Sequence, residues 1–112
     1  MPISTHILDL SRGRPAPDVE VVLEREDGGG WTELGQTRTN ADGRATELLP
    51  AGMPLETGTY RLTFATRPYF EKDGVQTFFP SVQIAFEVTE PGQHHHVPLL
   101  LSPFGYSTYR GS

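Results

Sequence analysis

The chain contains no cysteine, which excludes a disulfide framework and any thiolate metal site, and fits a reducing compartment or a protein with no use for thiol chemistry. Basic residues are few: nine Lys and Arg against fourteen Asp and Glu give a formal net charge of -5 and a pI near 5.2. They are scattered, without the basic footprint that duplex binding requires, so nucleic acid is not an expected partner. No apolar run reaches membrane-spanning length, and the opening MPISTHILDL lacks the basic segment and long apolar stretch of a signal peptide. The expectation is a cytoplasmic protein that does not engage a membrane. No repeat, low-complexity tract or linker-like break divides the 112 residues, so a single domain over residues 1–112 is expected, able to bury about 65% of its unfolded surface.

What is present is alternation. Tyr60, Leu62 and Phe64 alternate with Arg61 and Thr63; Val82, Ile84, Phe86 and Val88 alternate with Gln83, Ala85 and Glu87. Val19, Val21 and Leu23 repeat the pattern against Glu20 and Glu24, and residues 3–10 are a further apolar-rich run. Period-two patterns of this kind predict strands with one buried face. Turn chemistry separates them: Asp27-Gly28-Gly29-Gly30 fits a hairpin loop, Asn40-Ala41-Asp42-Gly43 a tight turn, and Pro91-Gly92 closes a strand. The reading is an all-β sandwich of seven or eight short strands. Residues 67–74, with Pro68 near the start and Gly74 at the end, form the one helix candidate.

Polar chemistry gathers near the end of this pattern. In a strand over residues 94–101, His94 and His96 share one face with Pro98 and Leu100, while His95, Val97, Leu99 and Leu101 share the other. The apolar set marks the core, so His94 and His96 face outward, as does His6 opposite Ile3 and Ile7. An imidazole with a pKa near neutrality suits general base work on water. His-x-His with a distant third His is also the spacing of a zinc site. With no carboxylate partner evident, a resident metal is not expected, and adventitious zinc on the cluster is the stronger metal reading. Arg44, just after the Asn40–Gly43 turn, offers a planar fork of donors to an oxygen- or nitrogen-rich heterocycle. The run over residues 99–112 is rich in Leu, Tyr, Phe and Thr, which suits a strand and predicts that Tyr109, Arg110, Gly111 and Ser112 are held in place by a sheet.

Four motifs in this order resemble the 5-hydroxyisourate hydrolases, the transthyretin-related enzymes of purine breakdown: Ser4-Thr5-His6-Ile7-Leu8-Asp9, Thr39-Asn40-Ala41-Asp42-Gly43-Arg44, His94-His95-His96-Val97-Pro98-Leu99, and Tyr109-Arg110-Gly111-Ser112. The last is that family's hallmark. One position departs from its usual His-Tyr-His, here His94-His95-His96. The resemblance implies a transthyretin-like β-sandwich assembled as a homotetramer, a dimer of dimers, with sites in a channel between dimers. It implies hydrolysis of the cyclic amide of 5-hydroxyisourate to 2-oxo-4-hydroxy-4-carboxy-5-ureidoimidazoline, without a cofactor. His6, Arg44, His96 and Ser112 match catalytic positions. His94, Tyr109 and Arg110 join His6, Arg44 and Ser112 as substrate contacts. Either His6 or His96 is the base, and Ser112 acts through its hydroxyl or a carboxylate. Tyr109 offers its hydroxyl or its backbone amide, and Arg110 either touches substrate or pairs with a carboxylate that fixes the tail. The rival readings are a transthyretin-like carrier of a small ligand and a structural β-sandwich module. Both lack a use for the His6, Arg44 and His96 set.

Overall fold

The structure, a computed structural model, describes residues 2–112; Met1, counted in the expected domain, lies outside the described residues. The alternating runs form strands. β1 (Ile3–Asp9) sends Ile3, Thr5, Ile7 and Asp9 inward and turns Ser4, His6 and Leu8 to its other face. β2 (Arg14–Pro15) is a two-residue pairing, and β3 (Glu20–Asp27) and β4 (Gly30–Arg38) form a hairpin. Gly28 and Gly29 at its tip hold φ of 58° and 93°, conformations open to glycine. β5 (Arg44–Ala45) is a second two-residue pairing, followed by β6 (Gly58–Phe64). Helix α1 (Thr66–Glu71) covers the expected position and carries Pro68 in its first turn, where the missing N–H removes no helical bond. β7 (Val82–Val88), β8 (His95–Ser102) and β9 (Gly105–Thr108) complete the order. Seven strands are four residues or longer, within the seven or eight that the spacing of runs and turns predicts. The two-residue pairings β2 and β5 have no signature in the sequence.

Two sheets pack face to face. One runs β2-β1-β8-β9, with β5 sharing with β2 the edge of β1 that β8 leaves free; the other runs β4-β3-β6-β7. Between them lie Ile3, Ile7, Leu99 and Leu101 from the first sheet and Val21, Leu23, Leu62 and Phe64 from the second, all at most 2% exposed. The expected inward residues of β3, β6 and β7 are the ones found there, because a strand buried on one face has only one register that hides its apolar set. Pro98 keeps the expected face, shared with His6 and His96, and is buried there. It lies in the middle of the sheet, opposite His6 of β1 on one side, and its carbonyl accepts a 2.7 Å hydrogen bond from the Thr108 hydroxyl on the other.

The pairing that positions the site is β1 with β8. It is parallel and continuous from Ile3 opposite His95 to Asp9 opposite Leu101. At its far end Asp9 is fully buried and accepts hydrogen bonds from the Tyr69 hydroxyl at 2.7 Å, the Ser11 hydroxyl at 2.6 Å, and the Ser11 and Arg12 amides. Burial works to raise the Asp9 pKa, but those donors together carry it below the usual carboxylate value. Burial and the same carboxylate push the Tyr69 hydroxyl up to about 12, so it stays a donor. A carboxylate with a depressed folded pKa stabilises the fold above its unfolded value, and that contribution is lost as pH falls through the folded one. Asp9→Ala leaves buried donors unpaired and is expected to cost about 3 kcal/mol at pH 7 in urea unfolding. The gap from the parent should narrow below pH 3.8 as the parent's Asp9 protonates.

Candidate functional site

Because β1 and β8 run parallel in register, Ser4 stands opposite His96 and His6 opposite Pro98. On the other edge of β1, His6 stands opposite Arg44 of β5. Opposed residues share a face, so three strands bring His6, Arg44 and His96 onto the outward face of one sheet. Arg44 is placed by the turn before it. The Asn40 side-chain carbonyl accepts from the amides of Asp42 and Arg44 at 2.9 and 3.0 Å, and the Gly43 carbonyl accepts from the Ile7 amide at 2.8 Å. Gly43 has φ +74°, and a Cβ there would sit 2.5 Å from the Ile7 carbonyl oxygen. Only glycine lets this turn lie against β1.

The histidines differ in what they are committed to. His6 Nε2 lies 2.9 Å from the Asp42 carbonyl oxygen; a carbonyl only accepts, so that nitrogen carries a hydrogen and Nδ1 is the free one. His96 Nδ1 lies 2.8 Å from Ser4 Oγ, and the same hydroxyl is 2.8 Å from His94 Nε2. Nε2 of His96 has no hydrogen bond among the described residues. Burial, followed by the cationic forms of His94, Arg44 and His6, lowers the His96 pKa below the imidazole value, with the Ser4 backbone partly opposing. His96 is therefore neutral near pH 7, the form in which an imidazole accepts a proton.

The tail is held, as expected. The Gly111 amide donates to the His96 carbonyl at 2.8 Å, forming an isolated bridge to β8. Glycine is needed here for space rather than for backbone angle, since a Cβ on Gly111 would lie 2.4 Å from His96 Cδ2. This contact carries Ser112 to a small cleft of about 210 Å³, shared with Ser4, Arg44, Thr46, His94 and His96. Enclosed ligand sites begin at about 300 Å³.

His6, Tyr109 and Arg110 do not line that cleft. After β9 ends at Thr108, Tyr109 and Arg110 line a second cavity of about 320 Å³ with Ile84, Phe86, His95, His96 and Thr108, so that His96 borders both. Arg110 pairs with the Gln93 side-chain carbonyl at 3.1 Å, where a carboxylate partner was one expectation. His95 is 4% exposed, as its core-facing position predicts, and its Nδ1 has no partner among the described residues. Burial and then Arg110 lower its pKa. Ser4 is the residue that sequence reasoning passed over. It shares the outward face with His6 two residues on, so the alternation that located His6 also locates Ser4. Among the described residues no group of three or more His, Asp or Glu is arranged to hold a metal ion, and no helix is long and apolar enough to cross a membrane.

The sequence profile of the HIUase/Transthyretin family matches residues 3–111. A 5-hydroxyisourate hydrolase of Salmonella typhimurium is 50% identical over 112 residues, covering 98% of this chain and 80% of that protein. Among solved structures, the 5-hydroxyisourate hydrolase of Klebsiella pneumoniae is similar with a TM-score of 0.85 and 44% identity, covering 98% of each chain. Sea bream transthyretin in complex with thyroxine is similar with a TM-score of 0.90 and 32% identity, covering 99% of this chain and 95% of that one.

Proposed function

The chain belongs to the HIUase/Transthyretin family, and from that premise we propose that it is a hydrolase that opens the cyclic amide of 5-hydroxyisourate. The observation that carries the reading is His96: a neutral imidazole with an uncommitted Nε2, on the same sheet face as the Arg44 guanidinium. Water attacks the lactam carbonyl carbon while His96 Nε2 takes one of its protons. The C–O bond forms, and the carbonyl electrons move onto oxygen, where Arg44 stabilises the charge. The intermediate collapses, the ring C–N bond breaks, and the proton held on His96 passes to the departing nitrogen. His6, with Nε2–H spent on the Asp42 carbonyl, presents Nδ1 to the substrate. Ser112 bounds the cleft and positions the ring, and no cofactor enters the scheme.

A cleft of about 210 Å³ on an outward face is small and open for a bicyclic substrate, which supports assembly of copies over it as a homotetramer, a dimer of dimers. Tyr109 and Arg110 then serve the site from the adjoining wall. The absence of cysteine suits a reducing compartment, and the cytoplasm is the placement we propose for this single domain.

The carrier reading has less support. The hydrolase relatives are 50% and 44% identical to the chain and the thyroxine-bound transthyretin 32%, and a carrier has no need of a lone basic nitrogen beside a guanidinium. The two are separated by following the ultraviolet absorbance of freshly generated 5-hydroxyisourate. Catalytic amounts of the protein should hasten its decay many-fold, and an unchanged decay would overturn the hydrolase reading in favour of the carrier.

A further inference from the structure

We infer that Ser4 is a positioning residue that decides which nitrogen of His96 carries hydrogen, by bridging His96 to His94. The inference rests on the reading of His96 as the base.

Ser4 Oγ is 2.8 Å from His96 Nδ1 and 2.8 Å from His94 Nε2. A hydroxyl has one hydrogen to give and two lone pairs to receive; accepting from both rings would leave its own hydrogen without an acceptor, so it donates to one imidazole and accepts from the other. Ser4 is only 5% exposed, and solvent does not substitute for either partner. The two rings are thus linked: when the Ser4 hydrogen goes to His94 Nε2, His96 must place its own hydrogen on Nδ1, and its Nε2 is left as a lone pair. When the Ser4 hydrogen goes to His96 Nδ1 instead, Nε2 bears the hydrogen and the base is silent.

The ring cannot escape this choice by turning. Gly111 lies against it so closely that a Cβ would fall 2.4 Å from Cδ2 and 3.1 Å from Cγ, and the backbone is fixed by the β1 register and the Gly111 bridge. His94, by contrast, is exposed just before β8, so solvent can accept a hydrogen from its Nδ1 and leave Nε2 to receive from Ser4. The working arrangement is therefore His96 Nδ1–H to Ser4 Oγ and Ser4 O–H to His94 Nε2. His94 acts through Ser4 in this scheme, in addition to any contact with substrate.

The charged and titratable groups around His96 are His94 beside it, Arg44 on β5 and His6 on β1.

The test is nitrogen-15 NMR of the labelled full chain, without substrate, at a pH where His96 is neutral, beside kinetics of the same proteins. Wild type should show His96 protonated on Nδ1. Ser4→Ala should shift it toward Nε2–H and lower kcat about tenfold with KM nearly unchanged. Ser4→Thr keeps the hydroxyl and should restore both. A wild-type His96 protonated on Nε2, or a tautomer unmoved by Ser4→Ala, overturns the inference. Because the spectrum needs no turnover, an inactive protein would sink the functional reading alone, whereas an unmoved tautomer would sink this one.

Discussion

His96→Gln is expected to lower kcat for ring opening about a thousandfold, within the range a positioned general base contributes, while the melting temperature changes little. Glutamine approximates the size of the ring and can still meet Ser4, but it has no lone pair basic enough to take a proton from water. The pH dependence sharpens the prediction. A base works in its unprotonated form, and the His96 pKa is displaced downward by burial and by the cations around it. Activity should therefore persist below the ordinary imidazole value of 6.5 and fall only as pH drops through the lowered one. Steady-state rates across the acid range check this directly. An acid limb centred above 6.5 would remove His96 from the role.

Arg44→Ala is the second large effect, expected to lower kcat/KM by about 100- to 1,000-fold, the scale of losing one donor aimed at a developing negative charge. Arg44 is exposed and forms no ion pair among the described residues, so its removal should leave urea unfolding unaltered. Arg44→Lys should recover only part of the rate, because an ammonium keeps the charge and loses the planar fork. The two substitutions thereby distinguish charge from geometry, with the oxygen-rich ring of 5-hydroxyisourate as the probe. Parent-level activity in both variants would leave the guanidinium without a role in the reaction.

Much of this arrangement is legible in the linear chain, and the reasons are specific. Val21 and Leu23, Leu62 and Phe64, Val82 and Val88 are read correctly because a half-buried strand writes its inner face as every second residue. The same rule places His95 inside and His6 and His96 outside. Single residues at the junctions are harder. Asp9 falls on the inner face of β1, where a carboxylate contradicts the pattern until Tyr69, 60 positions away, supplies its hydroxyl. Tyr109 and Arg110 are carried to a different cavity because the chain leaves the ladder after Thr108 and regains it only at Gly111. Between those points alternation has nothing to act on. β5 is invisible as a pattern, being two residues long, yet the Asn40–Gly43 turn announces where Arg44 begins.

The parallel ladder between β1 and β8 joins segments whose partners, such as Thr5 and Val97, are separated by 92 positions. Contacts that span so much chain cost the most entropy to close and form late in folding. Ser4, His6, His94 and His96 have no common neighbourhood until that closure happens, whereas the β3–β4 hairpin can arise locally. Recovered turnover during renaturation should consequently trail the return of β-sheet signal, making catalysis a late clock for the zipping of the two distant segments.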